Sequence, residues 1–255
     1  MTKKLLKRIL LTSAIAVLGV STSFAALVME QDQSVDTAPS VNMYRFEVPA
    51  ELQGTYNNVG VSNLTASMEK EPNTLSMNVA HVKGNPSESY VVEIYKDLAA
   101  IETHRKSDHY QAFVNEVGSK LTNRKMYDVQ SVLLFEKKDA LSIVNDGKAV
   151  VTLTEFTVNS NDTDTVQRQY QLDIERAVRD DAGYKAGYVL RERNTKNHWY
   201  VIQIYSDQAA LTKHVNSPGY RFMMSQIQGS LQNVTTKVLD GDILVNHGGQ
   251  VFVRP

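Results

Sequence analysis

The sequence predicts an α+β protein of two tandem ferredoxin-like domains, each β-α-β-β-α-β, packed sheet to sheet as an intramolecular dimeric α+β barrel. Three observations carry this. Residues 90–110 (YVVEIYKDLAAIETHRKSDHY) and 200–220 (YVIQIYSDQAALTKHVNSPGY) align without a gap at an offset of 110, with 10 of 21 positions identical. A period that long marks a duplicated domain, since solenoid repeats are far shorter. Each copy then runs through strand-like alternation and helical spacing in the same order, that of the split βαβ motif. Finally, 255 residues with 42% apolar and 22% charged side chains suit two modest globular domains. A four-stranded sheet with helices on one face leaves its other face bare. The second copy covers it, so a monomer imitating a dimer is expected, with a cavity between sheet and helices in each half.

The elements follow in order. Asn42 to Val48 alternates, with Tyr44, Phe46 and Val48 on one side, and reads as a strand. A weak helix follows, with Val61, Leu64 and Met68 at helical spacing. Thr74–His81 alternates again through Leu75, Met77 and Val79, and a turn at Gly84, Asn85 and Pro86 leads into a third strand, Tyr90–Tyr95. Asp97 caps a short helix through His104, and Ser107 caps a longer one striped by Tyr110, Phe113, Val114, Val117 and Leu121. Tyr127–Phe135 closes the copy as its fourth strand. The second copy repeats this as Val150–Val158, a clearly amphipathic helix Asp162–Arg179, Tyr184–Arg191, Trp199–Tyr205, helices Asp207–His214 and Ser217–Leu231, and a final strand Val234–Val245. The domains are therefore placed at 42–137 and 150–246, with linkers at 26–41 and 138–149 and a tail at 247–255.

Residues 1–25 read as a signal peptide. Lys3, Lys4, Lys7 and Arg8 precede an apolar run from Ile9 to Val20, and Ser23-Phe24-Ala25 offers small residues for cleavage after Ala25. The apolar run is short for a membrane span, so a periplasmic or secreted chain is expected. The whole chain carries 27 Lys and Arg against 28 Asp and Glu, which leaves 23 against 28 after cleavage. That balance gives no basic excess for nucleic acid. With no cysteine there is no disulfide, thiolate metal site or cysteine nucleophile.

The segment E-I-Y-x-D-x-A-A-x-x-x-H-x-x-S-x-H-Y-x-x-F from Glu93 to Phe113 resembles the signature of the antibiotic biosynthesis monooxygenase family, and Glu71-Pro72-Asn73-Thr74 resembles its Glu-Pro-Gly turn. The resemblance covers 42–137 well and 150–246 more loosely. The second copy has Gln203 for Glu93, Gly219 for His109 and Asp181-Ala182 for Glu71-Pro72, but keeps Tyr205, His214 and Ser217. It implies a dimeric ferredoxin-like barrel and a cofactor-independent oxygenase of a quinol or related small aromatic, using O2. In that reading His104 or His109 accepts a phenolic proton, imidazole being suited to neutral pH, and Glu93 orients or charge-stabilises it. Tyr95, Tyr110, Phe113 and Val114 in the first copy and Tyr205 and His214 in the second line the substrate cavity. Haem-degrading relatives carry a histidine at the position of Val114 and a Trp at that of Tyr95. Both copies lack the histidine, so no cofactor is expected, although Met224 leaves an axial ligand open.

Simpler roles exist for the same residues. Ala99-Ala100 and Ala209-Ala210 permit close helix–sheet packing, Ser107 and Ser217 cap helices, and His104 and His214 suit a helix C-terminus. No metal site is expected, because His104 and His109 are five apart across a helix break and His81, His198 and His247 lack ligands at metal spacing. A non-catalytic module binding a small ligand or a partner is the alternative to the oxygenase. An isomerase or lactone-processing role is a third.

Overall fold

The computed structural model describes residues 38–255. The signal peptide and most of the first linker lie outside the described residues. The first repeat comprises β1 (Ser40–Glu47), α1 (Gln53–Lys70), β2 (Thr74–Val82), β3 (Asn85–Tyr95), α2 (Leu98–Lys106), α3 (Asp108–Glu116), β4 (Thr122–Tyr127) and β5 (Val129–Glu136). After a short β6 (Leu141–Val144), the second comprises β7 (Val150–Val158), α4 (Thr163–Asp180), β8 (Tyr184–Glu192), β9 (His198–Tyr205), α5 (Gln208–Val215), α6 (Pro218–Ile227) and β10 (Leu231–Asn246), and β11 (Val251–Val253) ends the chain.

The caps form as the sequence predicts. Asp97 accepts from the Ala100 N–H at 2.9 Å and Ser107 Oγ from that of Tyr110 at 3.3 Å. Because Ser107 must leave helical geometry to cap α3, α2 stops there and the two short helices meet at an angle set by the cap. α3 is shorter than its apolar stripe suggests: it ends at Glu116, and a single 3-10 turn carries the chain to Leu121.

Alternation sorts each strand between two layers. On β1, Val41 and Met43 face the barrel interior while Asn42, Tyr44 and Phe46 face the helices. On β3, Tyr90, Val92 and Ile94 point inward, and Val91, Glu93 and Tyr95 point to the helices. Leu75 joins the interior layer rather than the side of Met77 and Val79, since the ladder slips between Thr74 and Ser76.

The last strand of each repeat departs from expectation. Tyr127–Phe135 is not one strand of its own sheet. It divides at Asp128: β4 pairs with β1 (Met43 opposite Tyr127), whereas β5 crosses to the second repeat and pairs with β8 (Leu133 opposite Val189). β10 makes the same exchange without a break, lying on β7 up to Asp240 and on β2 from Leu239 onward. With only Asp128 between β4 and β5, the strands close into a ring in the order β1-β3-β2-β10-β7-β9-β8-β5. The two sheets are thus one antiparallel sheet, and the exchange removes the open edges each repeat would otherwise expose. Met43, Val92, Ile94, Leu134, Tyr188 and Ile202 fill its interior.

Segments read as connectors also contribute. Ser40 and Val41, assigned to a linker, are the buried start of β1. β6, inside 138–149, pairs with the far half of β10, and β11, inside the tail, pairs with β5. Leu141 and Val251, which open β6 and β11, stand 110 residues apart, so both belong to the repeat itself.

A polar chain crosses the barrel wall near its end. Tyr188 Oη donates to Glu136 Oε1 at 2.7 Å and lies 3.1 Å from Ser76 Oγ. Burial lifts the Glu136 carboxyl to about 7, only partly offset by hydrogen bonds from Tyr188 and the Gln250 backbone. The native state therefore holds this proton more tightly than the unfolded chain. Its contribution is complete below pH ~4.5, declines as pH rises towards 7, and is gone above it, an effect on the order of 3 kcal/mol at most. Urea midpoints at pH 5 and pH 8 should differ less for Glu136→Gln than for the parent chain; an unchanged difference would show that this carboxyl is ionised in the native protein.

Candidate active site

The candidate site lies where α1, α2, α3 and β2 converge in the first repeat. Glu71 terminates α1, and its side chain turns back under the junction of α2 and α3. Oε2 lies 3.1 Å from His104 Nδ1 and accepts from Thr74 Oγ1 at 2.7 Å, and Oε1 lies 2.7 Å from His109 Nε2. Burial alone would raise this carboxyl, but the hydrogen bonds from His104, Thr74 and His109 outweigh it and hold it at about 2. An ionised carboxylate only accepts, so the network assigns a proton to His104 Nδ1, and in the neutral imidazole the lone pair then sits on Nε2.

That Nε2 is the atom of interest. His104 is 1% exposed, held between the rings of Tyr110 (centroids 4.9 Å apart) and Tyr95 (5.7 Å), and it lines a cleft between the sheet and helices. Among the described residues Nε2 has no hydrogen-bond partner. A buried acceptor left without a donor costs about 1–3 kcal/mol, so a ligand hydroxyl placed there recovers free energy.

The cleft holds about 620 Å3 of space between its lining atoms, counting its open mouth. Tyr44, Phe46, Tyr56, Tyr95, Tyr110 and Phe113 give it aromatic walls, and Asn63, Glu93 and Arg105 add polar points. Asn63 Oδ1 is a second buried acceptor without a partner. Ile243, from the exchanged half of β10, closes one side, so the second repeat completes the cleft of the first.

The predicted residues divide. His104, Glu93, Tyr95, Tyr110 and Phe113 all line the cleft. His109 does not line the cleft; it meets Glu71, and its ring lies 5.9 Å from that of His104. Glu93 does not orient His104; it accepts from Tyr95 Oη at 3.0 Å and Asn42 Nδ2 at 3.2 Å, and Glu71 takes the orienting role. Val114 does not line the cleft, one position past Phe113 on the helix. Although their spacing puts His104 and His109 on no common helical face, both reach one carboxylate because they sit either side of the Ser107 cap.

The antibiotic biosynthesis monooxygenase family model matches residues 39–116 and again 149–225. The chain belongs to this family. No curated protein matches the sequence. A candidate monooxygenase from Lactobacillus acidophilus NCFM aligns with a TM-score of 0.78 at 20% identity, covering 84% of this chain and 99% of the other. Another from Fusobacterium nucleatum aligns at 0.76 and 19%, covering 86% and 100%. At these identities the likeness is one of fold, and it extends over both antibiotic biosynthesis monooxygenase repeats.

The second repeat of this family member has lost its cleft. Tyr170 stands at the position of Gly60 and is buried, its ring stacked on Phe156 with centroids 5.8 Å apart and planes 10° off parallel. Tyr184, at the position of Thr74, packs 5.3 Å from Tyr205 and 4.9 Å from His214, and Gln203 Nε2 donates to its Oη. Gly187, at the position of Met77, makes room for it: a Cβ there would strike Tyr184 Oη. With Tyr184 packed on both, Tyr205 and His214 are core residues rather than cavity walls. His214 also lacks a close carboxylate partner at Asp181, which is one methylene shorter than Glu71 and lies 3.7 Å from Nδ1.

Proposed function

We propose that the first repeat is a cofactor-independent monooxygenase site for a quinol or a related small phenolic aromatic. The unpartnered Nε2 of His104, a residue that lines an aromatic cleft and is oriented by Glu71 through Nδ1, carries this reading. His104 takes the phenolic proton, and the resulting anion is the reductant for O2. For a naphthohydroquinone, one oxygen atom enters the ring, the other leaves as water, and the product is the hydroxyquinone. The aromatic walls keep water from the anion. Glu71 positions the imidazole and offsets the charge it acquires; Tyr95, Tyr110 and Phe113 hold the ring of the substrate. The basic start and apolar run of residues 1–25 favour a periplasmic or secreted location for this chemistry, and barrel closure within one chain supports action as a monomer.

Oxygen uptake by residues 26–255 with menadiol and a small hydroquinone panel, corrected for autoxidation, tests this. Saturable uptake above background is expected. A folded protein that binds quinones without consuming oxygen would instead make this a small-ligand binding module, the second reading that a cleft with paired acceptors allows.

A further inference from the structure

We propose that Glu71, His104 and His109 form a binding site for a divalent first-row transition-metal ion, held by one Glu71 oxygen, His104 Nδ1 and His109 Nε2. The donor atoms of the three residues all lie within 4.8 Å of one another. The contacts between them run from 2.7 Å (Glu71 Oε1 to His109 Nε2) to 3.3 Å (Glu71 Oε1 to His104 Nδ1). A tetrahedral ion with ligands at about 2.0–2.1 Å spaces its donors by roughly 3.3 Å, close to the carboxylate–imidazole contacts, and small side-chain rotations of the two imidazoles would complete the set. Two imidazoles and one carboxylate suit zinc and its neighbours, not magnesium or calcium, which take oxygen ligands. Thr74 Oγ1 already fixes the carboxylate from outside the set, as supporting hydrogen bonds do around metal ligands. His109 is 12% exposed at its side chain, which gives an ion a way in.

The second repeat supplies an independent observation. Where the first has Ala66 and His109, the second has Arg176 and Gly219. The Arg176 guanidinium reaches Asp173 at 2.9 Å, Ser217 Oγ at 3.2 Å and Asp181, the counterpart of Glu71, at 3.6 Å. A Cβ on Gly219 would collide with Arg176 Nε, so the guanidinium fills the space His109 takes in the first repeat. One copy thus holds a permanent cation at this point of the fold. The other offers metal ligands there and no arginine.

A metal on His104 Nδ1 displaces its proton, which then resides on Nε2. The cleft wall changes from acceptor to donor, and a quinol can no longer be deprotonated there. This consequence rests on the reading of His104 as the base; metal binding itself does not.

The test is calorimetric titration of the full mature chain with Zn2+, with Co2+ absorption as a second readout. One ion per chain is expected. His109→Ala should weaken binding more than about 100-fold, beyond what loss of a supporting group costs. Ala66→Arg with His109→Gly, which copies the second repeat, should abolish it while thermal unfolding stays cooperative. His81→Ala and His198→Ala remove the other histidine–carboxylate pairs and should leave affinity unchanged. Absence of a one-to-one site, a site surviving His109→Ala, or one lost with His81 or His198 would overturn the proposal. Because each readout is binding, a protein inactive on every quinol still answers the question.

Discussion

His104→Gln should lower quinol-dependent oxygen uptake by about two to four orders of magnitude, the usual worth of a positioned proton acceptor, with little change in quinone binding. The glutamine side chain can still meet Glu71 and fill part of the space between Tyr95 and Tyr110, but it offers no basic nitrogen to the cleft. Glu71→Asp is the sharper companion. The second repeat already shows its geometry: Asp181 lies 3.7 Å from His214 Nδ1, beyond hydrogen-bond range. Charge is kept while orientation is lost, so a fall of about a hundredfold in the same assay is expected from misplacement alone. Uptake at the parent rate in His104→Gln would remove this residue from the chemistry and return His109 or the solvent as acceptor.

The second large effect is on ligand binding. Tyr56→Val with Gly60→Tyr rebuilds in the first repeat the plug that fills the second, where Val166 and Tyr170 hold those positions. Phe46 stands ready to stack on the new ring as Phe156 does on Tyr170. A Cβ on Gly60 would lie 3.3 Å from Ile243 Cδ1, the mobile end of a side chain that can yield. The variant should lose detectable quinone binding and all quinol-dependent uptake, while its melting temperature stays level or rises, since burying such a ring contributes about 2 kcal/mol. Binding at the parent affinity in a folded variant would place the ligand outside this cleft.

These two variants also show what the sequence could and could not disclose. The duplication, the caps at Asp97 and Ser107 and the Tyr44, Phe46 and Val48 side of β1 were legible because each rests on local pattern. α1 reads as a weak helix for a reason visible only in three dimensions. Its buried row, Tyr56, Gly60, Asn63, Leu64 and Ser67, sets a glycine and two polar residues among two apolar ones, and the first four wall a cleft. The matching row of α4, Val166, Tyr170, Asp173, Ile174 and Ala177, packs solidly and reads clearly. Comparing the two at an offset of 110 was the signal that would have found Gly60 and Tyr170. Glu71 was visible only as part of a turn, since nothing in sequence says where a helix-terminal carboxylate points. Strand exchange was illegible for a related reason: alternation tells which side of a strand is apolar, not which strand lies beside it. Val114 matches the position that holds a histidine in haem-degrading relatives, but on α3 it is half-buried and does not line the cleft.

The exchange of β10 onto β2 also sets a timetable. Val79 and Ile243, neighbours across that ladder, are separated by most of the two repeats. Contacts so distant along the chain slow folding, because a long loop must close before they form. During synthesis the first repeat emerges complete in its own residues yet without one wall of its cleft, and that wall arrives only with β10, the long strand that closes the second repeat. The pocket is therefore assembled last, by the half of the chain that no longer has one.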